Sequence, residues 1–217
     1  MGATLCRSAR RFLTLISALI VAAGAVVDVL ADEPAQPNGH RAADTVKFIA
    51  GAAGAFAEHE ADHFLFDVLF DAHPFVKEVH FGPVPFFAIA HRATLSPRRE
   101  FVVSSAGFWI QEATSEWLLT RRPRLRDEHA PFTKGAFAFD VLTSIGYGVV
   151  AFAKAGPFER DTRGMAASVR VDERAIGAVV IAPAVLDVYR YFNPESRWAA
   201  WMSRIVKGGS VLLVIRH

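Results

Sequence analysis

Glu58-His59-Glu60-Ala61-Asp62-His63 lies inside a long, mostly apolar run that begins near Asp44 and ends in the Pro74 region. It contains H-E-x-x-H. Residues four apart share one face of a helix, with Cβ atoms about 5–6 Å apart, a separation from which two imidazoles converge on one ion. Glu60 sits one step round the helix, where its carboxylate reaches a water on that ion without having to ligate it. A metal-bound water beside a general base is a hydrolytic centre. With eight His and eleven Glu in 217 residues, chance supplies roughly 0.01–0.02 such matches per chain. The plainer reading is an amphipathic helix that carries two His and several acids on a wet face.

Working outward, Asp44 is placed to cap a helix that continues towards Pro74. It would be about 29 residues and roughly 43 Å long, enough to enter or cross a bilayer. Its first half runs from Phe48 through Gly51, Ala52, Ala53, Gly54 and Ala55 to Phe56. Such small residues let a neighbouring helix approach closely. The second half mixes the acids and His with Phe64, Leu65, Phe66, Val68, Leu69 and Phe70. Ionisable groups in so apolar a helix are costly unless paired or ligated, which favours a functional role.

Composition points the same way. Apolar residues make up 52%, and eighteen Phe stand against three Tyr, a preference for rings that need no hydrogen-bond partner. A formal charge of +2 gives no sign of a strongly electrostatic partner, and no nucleic acid is expected. The amino terminus reads as a secretory signal peptide or N-terminal anchor over 1–31, with Arg7, Arg10 and Arg11 before the uncharged run Phe12 to Val27. Residues 32–43 read as a polar linker, and 44–217 as a helical membrane domain. The single cysteine, Cys6, precedes the apolar run, so neither an intrachain disulfide nor a Cys-ligated metal is expected.

Further along, Pro74, Pro83 and Pro85 make the segment from His73 to Ala90 read as irregular or re-entrant. Phe101 to Leu119 predicts a second helix, in which Gln111, Glu112 and Glu116 must face protein or water. Gly135 to Ala153 is the best span after the amino terminus, with Asp140 its one charge. Glu159-Arg160-Asp161-Thr162-Arg163 reads as a solvated, self-paired loop. Ala175 to Tyr191 is a fourth apolar stretch, interrupted by Pro183, and the tail offers Trp198 and Trp201 as interfacial anchors before a short apolar run, Val211 to Ile215. The expected fold is all-α, a multi-span membrane helical bundle of about four helices, in an inner membrane of bacterial type or another membrane reached by secretory targeting.

Two His seldom hold a catalytic zinc alone, so a third protein ligand is expected with one position left open. Asp187, in Ile181-Ala182-Pro183-Ala184-Val185-Leu186-Asp187, is the leading choice because it is isolated in apolar sequence. Its plainer reading is a helix-end acid paired with Arg190. Asp67 and Asp71, at successive four-residue steps after His63, are alternative ligands.

With His59-Glu60-Ala61-Asp62-His63 and Leu186-Asp187, the chain resembles the site-2 protease family of intramembrane zinc metalloproteases. That family places H-E-x-x-H in one membrane helix and L-D-G, often preceded by prolines and an Asn, in a later one. Ser104-Ser105-Ala106-Gly107-Phe108 is similar to the small-residue helix between the two motifs. The resemblance implies zinc held by His59, His63 and Asp187, Glu60 as general base, and a peptide or membrane-protein substrate met among membrane lipid. Val188 stands where that family has glycine, and Val179 where the Asn would fall. Three other readings compete: a non-catalytic metal-binding relative, a structural helical membrane protein, and a di-iron carboxylate bundle. The last wants a second E-x-x-H on another helix, and the sequence has none.

Overall fold

The computed structural model describes residues 37–81 and 84–216. The expected signal peptide or anchor and the first part of the linker lie outside the described residues. In chain order come helix α1 (Pro37–Leu69), strands β1 (Pro74–Phe81) and β2 (Val84–His91), and α2 (Pro97–Arg121). After a single 3-10 turn at Leu125–Asp127 follow α3 (Pro131–Ala153), α4 (Asp161–Val169), α5 (Glu173–Phe192) and α6 (Arg197–Arg216). The chain is mostly helical, as expected. Residues 37–43, read from sequence as linker, are already the first turns of α1.

Local chemistry accounts for several boundaries. Ser96 caps α2 with extended backbone, its hydroxyl accepting from the Arg99 amide, and Pro97 follows at the first helical position. Asp172 caps α5 in the same way, accepting from the Arg174 amide at 2.9 Å. Arg170 ends α4 in a left-handed conformation, φ 56°.

Three further stretches differ from the sequence expectation. The segment 74–91 is not irregular: β1 and β2 pair antiparallel, with Pro74 opposite His91 and His80 opposite Pro85. Proline is tolerated there because a two-stranded ribbon consists only of edges. The short helix α4 was expected as part of a loop. The tail forms one helix of twenty residues, α6. Its inward positions, Ala199, Ser203, Lys207 and Ser210, recur at helical spacing and are buried, but they are small or polar and hide the helix from an apolar-pattern reading.

The chain divides into two compact units, Met1–Ala57 with His129–Phe139, and Glu58–Glu128 with Asp140–His217. In the first, the amino-terminal half of α1 meets the start of α3 through glycines. A Cβ added at Gly51 would lie 1.9 Å from the Phe132 carbonyl oxygen, and one at Gly135 would lie 1.9 Å from that of Phe48. The close approach expected of the small residues is therefore real. Phe56 and Phe139 meet edge to face at 5.8 Å, and His129 Nε2 lies 2.7 Å from Asp44 Oδ2.

In the second unit α2 packs against α4, α5 and α6. Its apolar core joins Phe101, Phe108, Met165, Ala166, Ile176 and Val180. Two helices, Pro131–Ala153 and Glu173–Phe192, are long and apolar enough to cross a membrane. Polarity is also inverted on this unit. Leu142, Val149, Val185, Phe192, Trp198, Trp201, Ile205 and Leu212 are exposed, while Asp140, Asp187, Arg190, Ser203, Lys207 and Ser210 are buried.

The glycine contact makes a sharp prediction. Gly51→Ala should destabilise the protein by about 1–3 kcal/mol, because backbone has to move. Gly54→Ala, whose new methyl would meet only the Phe132 ring at 3.9 Å, should be neutral or slightly stabilising. Thermal unfolding of the two variants beside wild type checks the contrast.

Candidate metal centre

His59 and His63 lie one turn apart on α1, as their spacing requires, and both are buried. What fixes them comes from α2. The Val103 carbonyl oxygen lies 2.7 Å from His63 Nδ1. A carbonyl only accepts, so Nδ1 carries the hydrogen and Nε2 is the atom left to hold a proton or a metal ion. Four residues on, Gly107 makes room for the His59 ring. A Cβ there would sit 2.4 Å from the His59 Cε1 and Nδ1 atoms. Phe108 and Tyr147 stand around the same ring, with centroids 5.6 and 6.2 Å away. The Ser104–Phe108 stretch thus places the α2 backbone directly against the imidazole pair.

The two Nε2 atoms approach to 3.2 Å. The third member of the group is Asp161, whose Oδ2 is 3.5 Å from each of them. These are the donors that could hold a metal ion among the described residues. Four ligands at about 2.0–2.1 Å from a tetrahedral zinc lie roughly 3.3–3.4 Å from one another, which the observed triangle matches. His59 Nδ1 is buried without a hydrogen-bond partner, so Nε2 is the atom by which this ring does its work. A two-His, one-carboxylate set suits zinc and also iron(II).

Charge within the triad is complementary. Burial pushes the His63 imidazolium down, but Asp161 overrides it and the value rises to about 9. Burial pushes the Asp161 carboxyl up, and the two imidazoles overturn that, holding it well below the usual carboxylate range. The cluster therefore favours positive charge at its centre, whether a proton or a metal ion supplies it. Glu60 is buried beside the triad but is not one of its donors. Burial raises its pKa, and His59 and His63 oppose the rise.

Asp161 is the first residue of α4, and the loop before it is clamped rather than solvated. Arg160 binds Glu173 through Nε and Nη2, each at 2.6 Å, and its Nη1 reaches the Pro157 carbonyl at 2.9 Å. Thr162 Oγ1 donates to the same Glu173 at 2.8 Å. Glu159 takes Lys77 of β1. The expectation of a self-paired loop misses this site, because Glu159, Arg160 and Asp161 each find their partner elsewhere.

The structure does not bring Asp187 to the His pair. Its carboxylate accepts from Lys207 Nζ at 2.9 and 2.7 Å and from Ser203 Oγ at 2.8 Å, with Arg190 at 3.6 Å. A carboxylate so saturated has no reason to turn elsewhere, and its partners are Lys207 and Ser203 rather than the Arg190 expected from sequence. Asp67 is also engaged elsewhere. It is fully buried, 3.1 Å from His91 Nδ1, and His91 Nε2 is 3.1 Å from Glu100. Hydrogen bonding to Asp67 and then Glu100 raises His91 to about 10. Asp71 lies in the exposed turn that leads to β1, near His73.

No protein-family model, curated protein or solved structure matches this chain.

The geometry predicts a reversal of the ligand assignment read from sequence. Asp161→Ala should lose bound metal, whereas Asp187→Ala should keep it and instead lose up to about 3 kcal/mol of stability, since Lys207 would lose its closest carboxylate and keep only the longer contact to Glu116, at 3.3 Å. Elemental mass spectrometry on the purified variants, with thermal unfolding, separates the two effects.

Proposed function

We propose that the chain is a membrane-bound zinc metallopeptidase with His59, His63 and Asp161 as metal ligands and Glu60 as general base. The observation that carries this reading is the convergence of two Nε2 atoms and one carboxylate oxygen within 3.5 Å of one another, with Glu60 of the same H-E-x-x-H stretch buried alongside. Glu60 favours hydrolytic zinc over redox iron. A second carboxylate that is not a ligand is what metal-assisted hydrolysis needs, as the acceptor of a proton from water.

Zinc, when bound, would supply Lewis-acid polarisation of the scissile carbonyl and a water of lowered pKa. The protein's own groups do the rest. Val103 holds His63 in the tautomer that offers Nε2, and Gly107 lets His59 approach. The Arg160–Glu173 clamp holds Asp161 at the start of α4. Glu60 takes the proton of the attacking water and returns it to the leaving amine as the peptide bond breaks.

Placement in a membrane is supported by the two helices of sufficient length and apolarity and by the inverted polarity of the second unit. An exposed apolar face over a buried polar one is stable when the surroundings are themselves apolar. Polypeptide substrates, including membrane proteins, are the class that a metallopeptidase in that setting would meet.

Glu60→Gln tests the mechanism. The variant should keep its zinc and lose about 10²–10⁴-fold in kcat against unfolded and membrane-embedded polypeptides. Retained cleavage would remove Glu60 from the mechanism. Wild-type protein that carries zinc yet hydrolyses none of these polypeptides would make the chain a non-catalytic metal binder.

A further inference from the structure

A second polar cluster, sharing no residue with the metal triad, lies where α2, α3, α5 and α6 meet. Asp187 is held by Lys207 and Ser203, as described above. Glu116 accepts from Arg190, from Arg204 Nε at 2.9 Å and from Lys207 at 3.3 Å. Glu112 accepts from Ser210 Oγ at 2.8 Å. Asp140 fares differently. It is 3% exposed, and its Oδ2 has no hydrogen-bond partner among the described residues. Gln111 faces it, equally buried, with neither amide atom in a hydrogen bond of good geometry. These groups border a cavity of about 10 Å³, lined by Gln111, Glu112, Ser115, Asp140, Ser144 and Asp187 among others.

Charge in the cluster does not balance. Four carboxylates (Glu112, Glu116, Asp140 and Asp187) face three basic side chains, Arg190, Arg204 and Lys207, and Arg204 is half exposed. Glu58 of α1, exposed and bonded to Thr114, adds negative charge on the Asp140 side. With all four ionised, one negative charge would be left over, and at so buried a site either a proton or a cation must neutralise it. A water would fit a cavity of this size and satisfy hydrogen bonds, but it would leave that charge uncompensated at a steep desolvation cost.

We propose that Gln111, Glu112, Ser115, Asp140 and Ser144 form a binding site for one sodium ion. The donors are all oxygens, the hard ligands that suit alkali and alkaline-earth cations. A single surplus charge and room for one water-sized sphere favour a small monovalent ion over a divalent one that keeps part of its hydration shell.

The site links stability to both sodium and pH. Burial pushes Glu112 up to about 7, with Ser210 and Lys207 opposing. A carboxyl raised in the folded state binds its proton more tightly there than when unfolded. With no other cation present, stability therefore falls as pH rises from the ordinary 4.5 through about 7. Sodium takes over the role of that proton at higher pH.

The test is thermal unfolding of the detergent-solubilised full chain at about pH 8.5, above the Glu112 value, in sodium chloride against choline chloride of equal ionic strength. The midpoint should rise saturably with sodium, by roughly 5–10 °C at about a hundred times the dissociation constant, and not with choline. Asp140→Asn and Glu112→Gln should abolish the sodium response. Where either fails to fold, Ser144→Ala should shift the response to higher sodium concentration. Equal midpoints in sodium and choline for the wild type would overturn the proposal. So would a loss of stability above about pH 7 that sodium does not restore, which would make the compensating cation a proton.

Discussion

Two imidazoles and a carboxylate brought within 3.5 Å of one another compete for protons unless a cation settles among them, and much of the second unit is arranged to hold them in that state. The two His come at no structural expense, since a helix puts residues four apart on one face. Their orientation does not follow from the helix. It needs a carbonyl at Val103 to fix one tautomer and the missing side chain at Gly107 to admit the other ring. The third donor needs more still. Asp161 is held by Arg160, Thr162 and Glu173, which lock the start of α4 to the start of α5. The donors are thus fixed by groups that do not touch the centre, which is how ligand geometry is usually held in metal sites.

The same unit turns its polar residues inwards. On α6 the buried face is Ala199, Ser203, Lys207 and Ser210, and the outer face is Trp198, Trp201, Met202, Ile205 and Leu212. In water that arrangement sacrifices the burial of apolar surface and desolvates charge as well. In a bilayer both terms change sign, because lipid accepts the apolar face and the charges pair with one another inside. The ion pairs of Asp187 and Glu116 and the glycine contact between α1 and α3 then have a common logic. On the proposed membrane reading, interhelical polar contacts and close backbone approach would stand in for the hydrophobic effect that lipid cannot supply.

What the sequence revealed follows from the range over which each interaction acts. His59, Glu60 and His63 were legible because their geometry is set within one helical turn. The main helices were legible from their apolar runs. Asp161 was not, because an acid at the start of a helix is commonplace and nothing nearby marks it as aimed at a pair of His far back in the chain. Asp187 misled for the converse reason. A lone carboxylate in apolar sequence must have a partner, but that the partner is Lys207 with Ser203, on a helix disguised by Gly208 and Gly209, is settled only by tertiary packing. Pro74 and Pro85, which helped make 74–91 look irregular, sit in a two-strand ribbon whose edges tolerate them.

The central claim is a metal ion held by two imidazole nitrogens and the Asp161 carboxylate, and X-ray absorption at the zinc edge of the purified full-length protein tests it most directly. The account predicts a four-coordinate site with two imidazole ligands and oxygen donors at about 2.0–2.1 Å, with the imidazole signal reduced to one in His63→Ala. Absence of a bound first-row metal, or a site that keeps two imidazoles when His63 is replaced, would contradict it.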